Sequence, residues 1–106
     1  CACGSADVAH ENTLCDNAKK TGATLILITP SAKGHILEIA DKVIRIPATA
    51  YKAVYNSEDE YVPTVQMMGN QFEQALLVFF DVIVMMISEE MGISKEEMES
   101  RHRNIE

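Results

Sequence analysis

Ala23-Thr24-Leu25-Ile26-Leu27-Ile28-Thr29 is a continuous apolar run, and Pro30 closes it. A half-wet strand alternates polar with apolar residues; an unbroken run marks a strand covered on both faces, as in a parallel sheet. Working outward, Lys42-Val43-Ile44-Arg45-Ile46 reads as a second strand stopped by Pro47, with a short helix around Gly34 to Ala40 between the two. Upstream, the small residues Cys1-Ala2-Cys3-Gly4-Ser5-Ala6-Asp7 lead directly into a helical pattern. Asp7 is its expected cap, and Asp7 and Glu11 suit the positive end of the helix. Val8, Leu14, Cys15 and Ala18 form a weak stripe, Lys19 and Lys20 fill the last turn, and Gly22 ends it. The order helix, strand, short helix, strand is that of an α/β crossover fold.

Residues 48–66 form a polar connection carrying Tyr51, Tyr55, Tyr61, Pro63 and the acidic triplet Glu58-Asp59-Glu60, read as solvated surface. A connection this long predicts that it wraps a neighbour or a site. A long helix is expected from Asn70 to Met91, stopped by Gly92. Its segment from Ala75 to Ile87 is apolar almost all round and therefore calls for burial on more than one side. Two strands and one short helix cannot supply that cover, so either the helix packs in an oligomer or part of the sheet is missing. This stretch of thirteen residues, which contains Asp81, falls short of the ~20 that cross a bilayer. The first residues have neither the basic start nor the apolar run of a secretory leader, so a cytoplasmic protein is expected. A last helix begins at Ser94, with Glu97 completing a capping box, and ends near Arg103.

The 106 residues are one domain's worth of chain, and 47% hydrophobic with 24% charged residues is a globular composition. A net charge of −7 argues against nucleic acid and anionic membrane surfaces as partners. The charge is lopsided: residues 1–52 hold six Lys and Arg against five Asp and Glu, residues 53–106 three against eleven. An anionic small ligand suits the N-terminal half better. Cys1, Cys3 and Cys15 make an odd count, which favours free thiols in a reducing compartment over a disulfide framework. Cys1 and Cys3 with His10 lack the second pair of ligands that structural zinc wants, so no metal is expected and the cysteines read as small loop residues.

Three residues could carry chemistry. Ser5 lies in a Gly-Ser-Ala turn feeding a helix, where outward backbone N–H groups attract phosphate; the plainer reading is a loop with a capping residue. Glu73 lies in the first turn of the long helix, where partial desolvation would make a base of it. Its plainer reading is a capping box with Asn70 as the cap. His102, between Arg101 and Arg103, sits where a cation complements the helix dipole, which by itself is a surface role. His10 and His35 have no identifiable partner and read as surface histidines.

Gln66-Met67-Met68-Gly69-Asn70-Gln71-Phe72-Glu73-Gln74-Ala75, the apolar helix with Asp81, Met91-Gly92-Ile93, and the ending Arg101-His102-Arg103-Asn104-Ile105-Glu106 closely resemble the C-terminal portion of the 6-phospho-3-hexuloisomerases, of the SIS (sugar isomerase) domain family. The family pattern is M-G-T-x-F-E-Q before the helix and R-H-x-N-L at the end. Cys3-Gly4-Ser5-Ala6-Asp7-Val8 aligns with its Ser-Gly-Ser-Gly-Glu-Thr, with Cys3, Ala6 and Val8 as departures. The resemblance implies a partial SIS-type, flavodoxin-like parallel sheet flanked by helices. Residues 1–106 would be a single SIS-like domain lacking the first strands and first phosphate loop. It further implies isomerisation of 3-hexulose 6-phosphate to fructose 6-phosphate through an enediol, with no cofactor. Gly4 and Ser5 would hold the phosphate of the sugar, Glu73 would be the base, and His102 a proton donor or orienting group. A homo-oligomer, dimer or tetramer, would form through the 70–91 helix. The alternative from a different class is a non-catalytic SIS-like module that binds sugar phosphate or drives oligomerisation.

Overall fold

In the computed structural model, residues 1–56 and 61–102 are described. The chain divides into two compact units, Cys1–Ala75 and Leu76–Glu106.

The first unit is built on β1 (Ile26–Thr29) and β2 (Lys42–Arg45), paired in parallel with Ile26 opposite Lys42 and Thr29 opposite Arg45. β1 is shorter than the run that announces it because Leu25 is bonded otherwise. Its N–H donates to the Asp41 carboxylate at 2.7 Å, and its carbonyl accepts from the Asp41 and Lys42 amides. Leu27 and Thr29 are fully buried and Ile28 nearly so, whereas Ile26 is exposed. Two-sided cover therefore begins at Leu27 and does not extend to β2, whose Val43 is exposed.

The opening residues do more than lead into a helix. Ala2 makes a parallel bridge to Ile28, with the Ile28 amide donating to Cys1 and the Cys3 amide donating to Ile28. Residues 1–3 thus flank β1 on the side opposite β2. Three residues are too few to show a strand period, which is why the sequence hid this role.

α1 (Ala9–Lys20) and α2 (His35–Ile39) complete the crossovers. The expected cap at Asp7 is not formed: Val8 is the N-cap and no side chain caps the helix. The Asp7 carboxylate instead accepts from Asn12 Nδ2 at 2.7 Å. Of the predicted stripe only Cys15 is buried, and Leu14 faces solvent. Cys15 joins Cys3, Ala6, Leu25, Leu27 and Ile36 in the core, so two of the three cysteines are core residues and not loop fillers.

The connection after β2 wraps back over the unit, as its length predicts. Ala48 and Ala50 are buried, and the Tyr55 hydroxyl donates to the Ala48 carbonyl and accepts from the Ala50 amide. Tyr55 stacks on Tyr61 with ring centroids 4.9 Å apart. The acidic triplet Glu58-Asp59-Glu60 lies outside the described residues. α3 (Asn70–Glu90) enters this unit through Phe72, buried to 4% exposure, and through Gln71, whose side-chain carbonyl accepts from the Thr49 amide at 2.6 Å.

The second unit holds the rest of α3 and α4 (Lys95–His102). Within one chain this stretch goes uncovered, as two strands and a short helix imply: Leu77, Val78, Phe80, Val82, Val84, Met85, Met86 and Ile87 are all exposed, and Phe72 is the sole buried residue of α3. At 21 residues with a mean hydropathy of 1.6 in its most apolar window, α3 is also long and apolar enough to cross a membrane. A count over residues 75–87 does not reveal this, because the helix extends past both ends of that segment. Gly92, at φ +64°, ends α3, with the Gly92 amide donating to Glu89 and the Ile93 amide to Ser88. These two bonds are the Schellman pattern, and it needs the left-handed glycine. Ser94 caps α4 by accepting from the Glu97 amide at 3.1 Å, as predicted. The predicted end at Arg103 and the terminal Asn104, Ile105 and Glu106 lie outside the described residues.

Candidate functional site

In an open parallel sheet, side chains and loops that meet a ligand gather beyond the carboxyl ends of the strands. Three such ends lie together in the first unit: Gly4–Asp7 after the opening rung, Pro30–Ser31 after β1, and Pro47–Ala50 after β2. Gly4 occupies a close approach of chain to chain. A Cβ there would lie 2.9 Å from that of Ala50 and 3.7 Å from the Phe72 ring, so a side chain at this position would push the wrapping connection away. The Gly4 carbonyl accepts from the Thr29 hydroxyl at 3.4 Å.

Ser5 follows, buried to 7% exposure, with its hydroxyl accepting from the Asp7 amide at 3.3 Å. The Cys3 thiol lies 3.9 Å from the same oxygen. Ala6 is fully buried at φ +55°, a left-handed turn that costs a non-glycine residue roughly 1 kcal/mol. The family pattern has glycine here, and the conformation explains why. The turn delivers the chain to the start of α1, whose backbone N–H groups meet no capping side chain and so form an anion-attracting end.

Behind the loop, the fully buried Ser31 is fixed by four polar contacts. Its amide donates to the Thr29 hydroxyl, and its own hydroxyl donates to the Lys33 carbonyl and accepts from the Val54 amide; the Val54 carbonyl also lies 3.4 Å away. Sequence reading missed Thr29 and Ser31. Their place at the carboxyl end of the apolar run, around Pro30, was the available signal.

Glu73 sits one residue after the buried Phe72, in the same unit as the loop. The expected Asn70–Glu73 capping box is not formed. Asn70 is already helical, and the Glu73 amide donates to the Gly69 carbonyl at 3.0 Å. The Glu73 carboxylate folds back over Gly69, where a Cβ would come within 3.3 Å of it. The side chain is exposed, so the expected partial desolvation is not seen.

His102 belongs to the second unit. It lines a shallow concavity of about 340 Å³ with Ser88, Ile93, Met98 and Arg101. The Arg101 guanidinium in this lining pairs with Glu97 one turn earlier.

His35 is not partnerless. Its Nε2 lies 2.9 Å from Asp16 Oδ1, and this hydrogen bond, with the carboxylate's charge, raises its pKa above the ordinary imidazole value. Nineteen residues separate the two, so no local pattern could show the pair. Among the described residues no group of three or more His, Cys, Asp or Glu is placed to hold a metal ion.

A parallel α/β unit with a glycine-serine turn and an uncapped helix start at its carboxyl edge has the geometry at which sheets of this kind can receive a small anion. No family model matches the chain. Similarity to individual proteins is more definite. The chain is 33% identical over 89 residues to the protein named 3-hexulose-6-phosphate isomerase of Bacillus subtilis (strain 168), covering 84% of this chain and 46% of that protein. It is 30% identical over 105 residues to the protein of that name from Mycobacterium gastri, covering 99% and 50%. For the protein of that name from Methylomonas aminofaciens the identity is 28% over 104 residues, covering 97% and 54%. The chain spans about half the length of the curated relatives it matches, and is homologous to that part of them, as its motifs predict.

Proposed function

We propose that this chain is the C-terminal part of an SIS-type sugar-phosphate isomerase that interconverts 3-hexulose 6-phosphate and fructose 6-phosphate. The observation that carries the reading is the Gly4–Asp7 turn, held between Ala50, Phe72 and Thr29 and opening onto the start of α1. Ser5 and the Gly4 backbone are the phosphate anchor, supported by the matching motif in the sequence. The reaction moves a carbonyl from C3 to C2. A base takes the proton from C2, the freed electron pair forms the C2=C3 bond as the C3 carbonyl π pair moves onto its oxygen, and that oxygen takes a proton to give the enediol; the C2 hydroxyl then gives up its proton and becomes the carbonyl as a proton returns to C3. Glu73 is the proposed base: it is ionisable, exposed, and one residue from a side chain that touches Gly4. His102 is the proposed donor or orienting group for the oxygens, acting in the site of a neighbouring copy.

A homo-oligomer in the cytoplasm completes the proposal. Exposing even four large apolar side chains forfeits roughly 6–12 kcal/mol of burial, comparable to a domain's net stability. A second copy packed along residues 76–87 restores it, and Asp81 within that stretch favours a protein partner over lipid, where a central carboxylate is expensive.

A second reading, a binding module without catalysis, is favoured by one observation: Ser5 is buried with its hydroxyl already engaged by Asp7. A coupled assay for fructose 6-phosphate formation, alongside Glu73→Gln, separates the two. The isomerase reading expects turnover that Glu73→Gln abolishes while folding is retained. Full turnover in Glu73→Gln removes the base assignment. Binding of fructose 6-phosphate near residues 4–8 without any turnover establishes the module.

A further inference from the structure

The Gly4–Asp7 turn is gripped by a second element, α2, whose part no motif announces. An ideal Cβ on Gly34 would lie 2.4 Å from the Ala6 carbonyl oxygen and 2.9 Å from the Ala6 Cβ, so the backbones of positions 34 and 6 are in direct contact. Gly34 itself has φ +148°. Two residues on, the Ile36 amide donates to that same Ala6 carbonyl at 3.0 Å. Between them stands His35, whose ring reaches Asp16 on α1 at 2.9 Å. The turn is covalently continuous with α1 and packed on α2, and His35–Asp16 ties α1 to α2. These three connections close a triangle around the strained residue Ala6.

We propose that His35 and Gly34 are positioning residues that hold the Gly4–Asp7 turn in its sugar-phosphate-binding shape, so that breaking the His35–Asp16 contact loosens the grip on the ligand. The phosphate role of the turn rests on the function proposed above; the mechanical coupling does not. The charged groups facing the His35 ring are Asp16 on α1, Glu38 on α2 and Asp7 in the turn, all acidic. All three favour the imidazolium. The ion pair is therefore complete below the ordinary histidine range and is lost as pH rises through the raised value.

Two measurements test the two layers separately. The first follows backbone amide shifts of Ser5, Ala6, Asp7 and Ile36 without ligand from pH 5.5 to pH 8.5. The proposal expects them to move with the His35 ring, at one shared midpoint, and expects Asp16→Asn to abolish that shared movement while the fold is kept. Flat turn amides through the His35 titration, or movement unchanged in Asp16→Asn, overturn it whatever the turn binds.

The second is calorimetric titration with fructose 6-phosphate. Gly34→Ala should weaken binding about tenfold or more, since small displacements of an anchoring group are costly. Asp16→Asn and His35→Gln should weaken it by a few-fold at pH 6, and by less at pH 8.5. The smaller loss at high pH separates a positioning role from simple destabilisation, and from the ligand's own titration, which wild type and variants share. Wild-type affinity retained in folded Gly34→Ala overturns the positioning claim. No binding by the wild type, with coupled amide shifts intact, removes the phosphate reading and leaves the coupling standing.

Discussion

The two units differ less in composition than in what they do with it. In Cys1–Ala75, Leu27, Ile36, Ala6 and Phe72 are buried against one another's neighbours, and every buried apolar residue of the described chain lies there. From Leu76 onward the chain is richer in large apolar residues, yet eight of them between 77 and 87 face solvent. An apolar sequence states a need for cover; it does not say whether the cover lies within the same chain. In the first unit crossover helices of 12 and five residues pack back on the strand, which is enough to close a small core. In the second the rest of α3, from Leu76 to Glu90, is accompanied by a helix of eight residues with no buried side chain.

The comparison breaks most readily at the core. Leu27→Ala, at a fully buried strand position, should cost about 2–5 kcal/mol in denaturant unfolding. A loss below about 1 kcal/mol would mean that the first unit's core is not the folding core. Val78→Asp should leave that core nearly untouched, within about 0.5 kcal/mol, because the side chain is exposed. It should, however, shift the sedimentation profile toward an 11.7 kDa monomer. A wild-type chain that is folded and monomeric at micromolar concentration in detergent-free buffer would refute association through α3.

A smaller effect sharpens the description of the first unit. Asp41 accepts from Lys19 and from the Leu25 amide, and the Lys19 bond is the main reason its carboxyl pKa lies below the usual value. A depressed carboxylate stabilises above its unfolded pKa, and the contribution fades as pH falls through the folded one. Asp41→Asn should therefore lower Tm at neutral pH and converge with wild type in acid; a constant difference down to pH 2 would argue against the ion pair. Smallest of all, Leu14→Ser should change stability by no more than about 0.5 kcal/mol, despite its place in the apolar stripe.

Much of the fold was legible from the apolar run at 23–29 and its proline stop, because a strand covered by crossovers has few alternatives. The C-terminal end of α3 and the capped start of α4 were legible from Gly92 and Ser94, whose effects are local. What stayed hidden is non-local. The rung at Ala2 depends on pairing with Ile28, and the bond from His35 to Asp16 depends on two helices lying side by side. The caps at Asp7 and Asn70 were misplaced by a residue because helix starts are decided by backbone geometry as much as by side-chain type. Of the candidate site, Gly4 and Ser5 are where their motif puts them. Glu73 is more exposed than its neighbours suggest, because the burial of α3 stops at Phe72.

The contact of Gly34 with Ala6 also limits how this protein can drift. A methyl at position 6 fits only because position 34 has none: the would-be Cβ of Gly34 lies 2.9 Å from the one Ala6 carries. Ala6→Gly removes the methyl and relaxes the left-handed turn, but does not free position 34, because the Ala6 carbonyl oxygen would still be 2.4 Å from a new Cβ. Lineages can thus exchange alanine and glycine at position 6 for roughly 1 kcal/mol, while position 34 stays fixed as glycine in either background. The constraint between the two residues is one-sided: position 34 limits position 6, and position 6 does not release position 34.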